Sequence, residues 1–161
     1  MTRIRRRDLL AAVAERATVI THATGYVGKI SAATGLPGVD TPEDPPTKDD
    51  GTGRVRPYFV LFPGIGRPGD EQAIDDVLFD LAWPLQVTAA AGDTDDLLAL
   101  VDRIDAALHR WAPGFLAGAD GVVVAGPLRI PDGYVPPVLT DRTVRPERVY
   151  TPLQYQLTAH T

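Results

Sequence analysis

The sequence predicts an α+β domain in which two helices pack on one face of a mostly antiparallel, four-stranded sheet, with long loops between the elements. Two segments alternate apolar and polar residues, as half-buried strands do, and two others repeat apolar residues every three or four positions, as surface helices do. The predicted order is helix, strand, strand, helix, strand, strand. An antiparallel or mixed sheet that carries both helices on one face is the simplest architecture for this order.

The composition bounds the possible functions. The 161 residues, 44% of them hydrophobic, suit a single domain over 1–161, and the absence of cysteine excludes disulfides, thiol catalysis and thiolate metal sites. A net charge of −5 argues against nucleic acid as the main ligand. No apolar run approaches the roughly 18 residues that a membrane span needs, so we expect a soluble protein without a membrane partner.

The first half of the chain begins with an amphipathic helix from about Thr2 to Thr21, whose start carries Arg5, Arg6 and Arg7. A short strand is possible near 26–30. Residues 34–53 contain the turn-rich runs PEDPP and KDDGTG, and we expect them to form a mobile loop.

Residues 55–62, VRPYFVLF, read as a strand buried on both faces, which Pro63 ends. The glycines at 64, 66 and 69 match the dinucleotide-binding pattern G-x-G-x-x-G, but Pro68 lies where the backbone would hold phosphate. We therefore interpret the region as a long hairpin loop, which rejoins the sheet at Val77 or Leu78.

The best-defined segment is 79–111. In its first half Leu81, Trp83 and Leu85 share one parity, which predicts a strand with one apolar face, and Pro84 predicts that the strand lies at a sheet edge or beside a bulge. In its second half a helix is predicted, with apolar residues from Leu97 to Trp111, acidic residues in its first turn, and Asp93 or Thr94 as its cap.

The last third of the chain predicts a loop over 112–121, a strand over 122–130 that Gly126-Pro127 interrupts, a loop over 131–148, and a clean alternating strand over 149–159. The second loop carries three arginines at a spacing of three. If both helices cover one sheet face, the other face presents uncharged polar residues, which suit water or a neighbouring subunit: Gln86, Thr88, Gln154, Gln156 and Thr158.

No catalytic arrangement stands out. The only serine, Ser31, has no nucleophile-elbow motif around it, and the histidines His22, His109 and His160 lack a local partner of the triad kind. Acidic residues cluster at 70–80 and 93–96, but the second cluster is explained by helix capping and the first lies in a loop. We predict no catalytic residues, no cofactor and no metal.

The segment from Trp83 to Trp111 resembles one in tail-terminator proteins of long-tailed bacteriophages, especially those that infect actinobacteria. In those proteins a strand of type YQV-T-x-x-G leads through an acidic or polar turn into an LADRVRxxL helix. The matching residues here are Gln86, Val87, Thr88, Gly92, the turn 93–96, Leu100, Asp102, Arg103 and Ile104. The order of elements agrees over most of the chain, and the residue-specific likeness covers about thirty positions.

The resemblance implies a virion structural protein at the tail–neck junction, assembled in the host cytoplasm and without enzymatic activity. Its subunits would form a ring, expected to be a hexamer, that caps the tail-tube protein, stops tube polymerisation and meets the head-completion proteins, while DNA passes through the ring. Alternatives are a head–tail connector of similar fold, or a small-ligand or metal-binding enzyme domain that uses the 64–76 loop.

For the ring we expect basic groups of one subunit to pair with acidic groups of the next, beside the uncharged polar sheet face. The candidate interface residues are Arg5, Arg6, Arg7, Asp75, Asp76, Asp80, Gln86, Thr88, Arg142, Arg145, Arg148, Gln154 and Gln156.

Overall fold

A computed structural model of the protein describes residues 4–28, 45–68, 80–118 and 121–161. The described part contains two helices and eight strands. In chain order they are α1 Arg6–Ala17, β1 Thr24–Val27, β2 Tyr58–Pro63, β3 Arg67–Pro68, β4 Asp80–Ala91, α2 Thr94–Leu108, β5 Gly114–Gly118, β6 Gly121–Ala125, β7 Leu139–Asp141 and β8 Arg148–His160.

The strands join in one sheet with the order β1-β2-β4-β8-β6-β5, to which β3 adds beside β4 and β7 beside β8. Only β1 and β2 pair in parallel. The predicted four-stranded sheet is therefore wrong, because the described residues give seven strands of three or more residues and the two-residue β3. The α+β class holds. The largest omission is β5, which pairs with β6 from Gly114 to Gly118 although its residues read as a loop.

Strand β4 lies in the middle of the sheet, between β2 and β8, so the sheet edge, one of the two positions that Pro84 predicts, is wrong. Pro84 is tolerated because it pairs with Gln156 of β8, whereas neither β2 nor β3 pairs with β4 at this residue. Strand β2 ends where Pro63 faces Leu85, and β3 begins where Arg67 faces Ala82. The Pro84 carbonyl accepts a hydrogen bond of 2.9 Å from the Gly64 amide in the gap. The missing proline N–H is thus not required.

Both helices pack on the face of the sheet that the odd-numbered residues of β4 and β8 form. Trp83 of β4 and Tyr155 of β8 are almost fully buried there, in one cluster with Leu9 of α1 and with Leu100 and Ile104 of α2. Since β4 runs directly into α2 through a turn at Gly92, this strand–turn–helix unit forms the centre of the core.

Helix α2 begins as the sequence predicts. The Asp93 carboxylate accepts a hydrogen bond of 2.8 Å from the Asp96 amide, which satisfies one of the free N–H groups at a helix start. Gly92 is required at this turn because a Cβ there would lie 2.9 Å from the Val55 carbonyl oxygen.

A second, smaller apolar cluster lies on the opposite face of the sheet, which we call the outer face. Its buried residues are Tyr26, Val55, Tyr58, Val60 and Ala90. A hairpin over 45–56 supports this cluster, with paired backbone hydrogen bonds between Lys48 and Arg54 and between Pro46 and Arg56. The predicted mobile loop 34–53 thus ends in this hairpin, and its residues 34–44 lie outside the described part. No helix within the described ranges is long and apolar enough to cross a membrane.

Candidate interaction surface

The outer face carries the polar residues that the sequence places there. Gln86 and Thr88 of β4 are half-buried and share a hydrogen bond of 3.1 Å, whereas Gln154 and Gln156 of β8 are exposed. Gln86 lies opposite Gln154 in the β4–β8 register. The sheet geometry therefore brings these four candidate residues together.

Beside the glutamines the outer face has a shallow groove of about 380 Å³. Its walls include Phe62, Pro84 and Pro131 together with Gln86 and Gln156. None of these side chains is charged. Such a surface favours contact with a protein of similar polarity over binding of an ion or of nucleic acid.

The segment that follows β6 runs along the side of β8 that β4 leaves free. Arg129 and Gln156 exchange backbone hydrogen bonds there, and the Tyr134 hydroxyl donates a hydrogen bond to the Pro152 carbonyl. Strand β7 then adds to the same side of β8 with Leu139 opposite Tyr150. This side of β8 is therefore not an open sheet edge.

Arg148 is a structural residue rather than a free surface charge. Its guanidinium donates to the Tyr58 hydroxyl at 2.7 Å and to the Asp141 carboxylate at 3.1 Å, and its side chain is only 17% exposed. Hydrogen bonds from the amide and hydroxyl of Thr143 and from Arg148 lower the pKa of Asp141. Burial raises the pKa of Tyr58, which Arg148 partly offsets. This network fixes β7 against β8 and β2.

Arg142 and Arg145 remain outside that network. The Arg142 side chain is 81% exposed, and the ion pair that it forms with Glu147 within the described ranges is long at 3.9 Å. Arg145 is exposed and makes no hydrogen bond or ion pair with any residue that the structure describes. The three arginines at a spacing of three therefore divide into one internal residue and two that face solvent.

The arginines at the start of α1 lie near the loop that follows β2. Arg6 donates a hydrogen bond to the Ile65 carbonyl, and Arg7 is paired at 3.5 Å with its neighbour Asp8. Arg5 is half-buried. Arg6 therefore anchors the start of α1 to the loop after β2, whereas Arg7 lies at the surface.

The predicted acidic partners of these arginines are only partly described. Asp80 is exposed at the start of β4, opposite His160. Asp75 and Asp76 lie outside the described residues. The structure consequently places one acid of the three.

The aspartates in and beside α2 divide into three that have partners in the same chain and two that are exposed. Asp93 caps the helix and lies 3.5 Å from Arg54; Asp96 forms a salt bridge of 2.5 Å with Lys48; and Asp105 accepts a hydrogen bond from Tyr155. Asp95 and Asp102 are exposed and have no ion-pair partner in the described ranges. They lie on the side of α2 that faces away from the sheet, with Leu98 between them.

Several exposed apolar side chains escaped the sequence reasoning. Phe115 is 79% exposed on β5, which was predicted as a loop, and Val122 is 52% exposed on β6, which was predicted as a strand. Val135 is 83% exposed in the segment that runs beside β8, and Leu98 is 51% exposed on α2. Of these exposed residues, Leu98 was the one that the sequence could have indicated, because it falls outside the apolar stripe of its helix.

The glycine-rich loop after β2 has a steric explanation. Gly66 has a φ of +78°, and a Cβ at this position would lie 2.6 Å from the Ala82 carbonyl oxygen. Gly64 packs against Pro84 in the same gap of the sheet. Gly69, the third glycine of the pattern, lies outside the described residues. Within the described ranges no group of three or more histidine and acidic side chains could hold a metal ion.

A scan against models of protein families gave no match, and no curated protein sequence was significantly similar to this chain.

Proposed function

We propose that this protein is the tail terminator of a long-tailed bacteriophage, a virion structural protein whose ring caps the tail tube, stops its polymerisation and joins the tail to the neck. The residue pattern from Trp83 to Trp111 carries this proposal. Its likeness to tail terminators extends from the strand through the acidic turn to the helix, and this segment forms β4 and α2, the elements at the centre of the core.

The surface of the molecule supports a role in assembly. Gln86 and Thr88, two of the resembling residues, lie on an uncharged sheet face with a shallow groove beside them. Exposed apolar side chains such as Phe115 and Val135 add area that an interface would bury. A ring needs two different patches on each subunit, and the uncharged outer face and the exposed side of α2 are two candidates.

The order of the ring is proposed from the resemblance. Six subunits of 17.3 kDa would give a ring of about 104 kDa. Native mass spectrometry of the purified protein at increasing concentration measures this mass directly. A protein that stays monomeric at all concentrations, with and without tube protein, would count heavily against the ring.

The terminator function is tested with a tail-tube protein, which the proposal expects to be encoded near this gene. We expect tubes polymerised with the protein present to stop growing and to carry a ring at one end in negative-stain electron micrographs. Tubes of unchanged length without a terminal ring would contradict the proposal. Rings that bind purified heads, but not tubes, would favour the head–tail connector instead.

A further inference from the structure

Two surfaces of opposite charge make few contacts with the part of the chain that the structure describes. The first is the outward side of α2, with Asp95 and Asp102 on either side of Leu98; we call it the acidic stripe. The second is the exposed segment 135–145, which carries Arg142 and Arg145 and which we call the basic segment. We propose that the basic segment of one copy docks on the acidic stripe of the next copy. This inference deepens the ring of the proposed function and rests on it.

The acidic stripe suits a protein contact. Asp95 and Asp102 lie two turns apart on the helix, about 10 Å, and Leu98 projects between them with half of its side chain exposed. Ala99 and Ala106 on the same side are small and allow close approach. The neighbouring acids Asp93, Asp96 and Asp105 are already bound by groups of the same chain. The charge of the stripe is therefore available to a partner.

The basic segment also combines exposed apolar side chains with charge, but its charge is positive. Val135 and Val138 are 83% and 52% exposed, and Arg142 and Arg145 extend from the chain just beyond them. Two residues lie between the arginines, so their Cα atoms are at most about 10 Å apart, and their long side chains can reach both aspartates. Glu147 lies near Arg142 but its pairing distance of 3.9 Å leaves the arginine largely free.

The two surfaces are separate patches of one chain. Helix α2 packs on the helix face of the sheet, whereas the basic segment lies beside β8, where β7 pairs Asp141 with Arg148. Within the described ranges no ion pair joins Asp95 or Asp102 to Arg142 or Arg145. A contact between two different patches of neighbouring copies is head-to-tail, and its repetition can close a ring.

The contact is too small to hold a ring by itself. Two helical turns present far less than the roughly 800 Å² that each partner buries in a typical stable interface. The contact orients neighbouring subunits and affects their rate of association. Opposite charges increase this rate, and added salt lowers it. The uncharged residues of the outer face would supply the remaining area.

A pair of charge reversals tests the docking. One variant carries Arg142→Glu with Arg145→Glu, and the other carries Asp95→Lys with Asp102→Lys. Each alone places like charges in every contact, so we expect the apparent dissociation constant of its oligomer to rise about ten-fold or more at low salt. Sedimentation velocity over a concentration series measures this change.

The mixture of the two variants gives the decisive result. In an equimolar mixture every reversed segment meets a reversed stripe of the other variant, and every native segment meets a native stripe. We therefore expect oligomers to return, with the two variants alternating, and native mass spectrometry to show them in equal numbers. Failure of the mixture to assemble, with wild-type assembly intact, would overturn the docking.

Matched controls separate the proposed contact from a general effect of charge. Arg110→Glu with Arg129→Glu and Glu15→Lys with Asp49→Lys reverse the same charges at exposed positions outside both surfaces, and we expect little change in assembly. An equal loss in these controls would overturn the assignment. A wild-type protein that never oligomerises would overturn both the ring and the docking, whereas oligomers that form through these residues but leave tube length unchanged would contradict only the terminator function.

Discussion

Tyr155 of β8 donates a hydrogen bond to the carboxylate of Asp105 and so joins the centre of the sheet to α2. The tyrosine side chain is 1% exposed. Burial raises its pKa far above the usual value of 10.0, and the hydrogen bond and negative charge of Asp105 raise it further. Tyr155 therefore remains a protonated donor over the whole range in which a protein of this kind is handled.

Replacement of Tyr155 by phenylalanine should lower the free energy of unfolding by about 1–2 kcal/mol, because the Asp105 carboxylate loses its donor while the ring still fills the core. Urea denaturation at neutral pH measures the loss. Tyr150→Phe is the matched control, since Tyr150 makes no hydrogen bond through its hydroxyl with any described residue, and its effect should be close to zero. Equal losses in the two variants would show that the hydrogen bond to Asp105 is unimportant.

The stability of the protein should decrease as the pH rises above about 10. The pKa values of Tyr26, Tyr58 and Tyr155 are all raised, mainly by burial, above the 10.0 of the unfolded chain. Above pH 10 the unfolded chain therefore binds fewer protons than the native state, and the free energy of unfolding falls with increasing pH. Denaturation curves from pH 8 to 12 measure the slope, which should be shallower in Tyr155→Phe; identical slopes would contradict the role of this residue.

Asp93→Ala should destabilise the protein by about 1 kcal/mol because the start of α2 loses its side-chain cap. Asp95→Ala removes the same charge from the same turn without removing a cap, so its cost should be smaller. Asp93→Asn retains the hydrogen-bond acceptor and should fall between the two. Thermal unfolding followed by circular dichroism ranks the three variants, and an equal effect of Asp93→Ala and Asp95→Ala would reduce the role of Asp93 to its charge.

Gly66→Ala should destabilise the protein by about 1–3 kcal/mol, because the new Cβ meets the Ala82 carbonyl and the backbone adopts a positive φ. Gly133→Ala is the comparison, since Gly133 has a similar φ of +75° with open space around it. It should cost less. Urea denaturation measures both, and an equal loss in the two variants would show that backbone conformation alone explains Gly66.

Arg148→Met should lower the melting temperature, because Asp141 and Tyr58 lose a shared, largely buried partner at a cost of about 1–3 kcal/mol. Arg145→Met, at an exposed position, should leave the melting temperature unchanged. Differential scanning calorimetry of the two variants makes this comparison. The converse ranking would mean that Arg148 is dispensable for folding and would restore it as a surface candidate.

The segments with a regular apolar repeat in the sequence were correctly predicted as strands and helices. Alternation around Trp83 and the helical repeat from Leu97 to Ile104 correctly indicated which residues are buried, because one face of each element meets the core. The cap at Asp93 was predictable for a similar reason: it depends on residues only three positions apart. Such local signals are readable without knowledge of the neighbours.

The errors came from elements whose roles depend on distant residues. Pro84 suggested an edge strand, but whether an N–H is needed there depends on where β2 stops. Strand β5 has five residues, begins and ends with glycine, and was predicted as a loop, because only its pairing with β6 makes it a strand. In the sequence Arg148 could not be distinguished from Arg142 and Arg145. It differs from them because it donates a hydrogen bond to Tyr58, which lies 90 positions earlier in the chain.

The break between β2 and β3 opposite Pro84 lets a variable connection start and finish beside a strand whose own pairing is complete. Leu85 is held by β2 and Ala82 by β3, and β8 pairs with β4 along its entire length. The chain between Pro63 and Arg67 therefore leaves the central strand without disturbing its register. At the point where one side of its ladder is interrupted, the β4–α2 unit thus keeps its position through β8 alone.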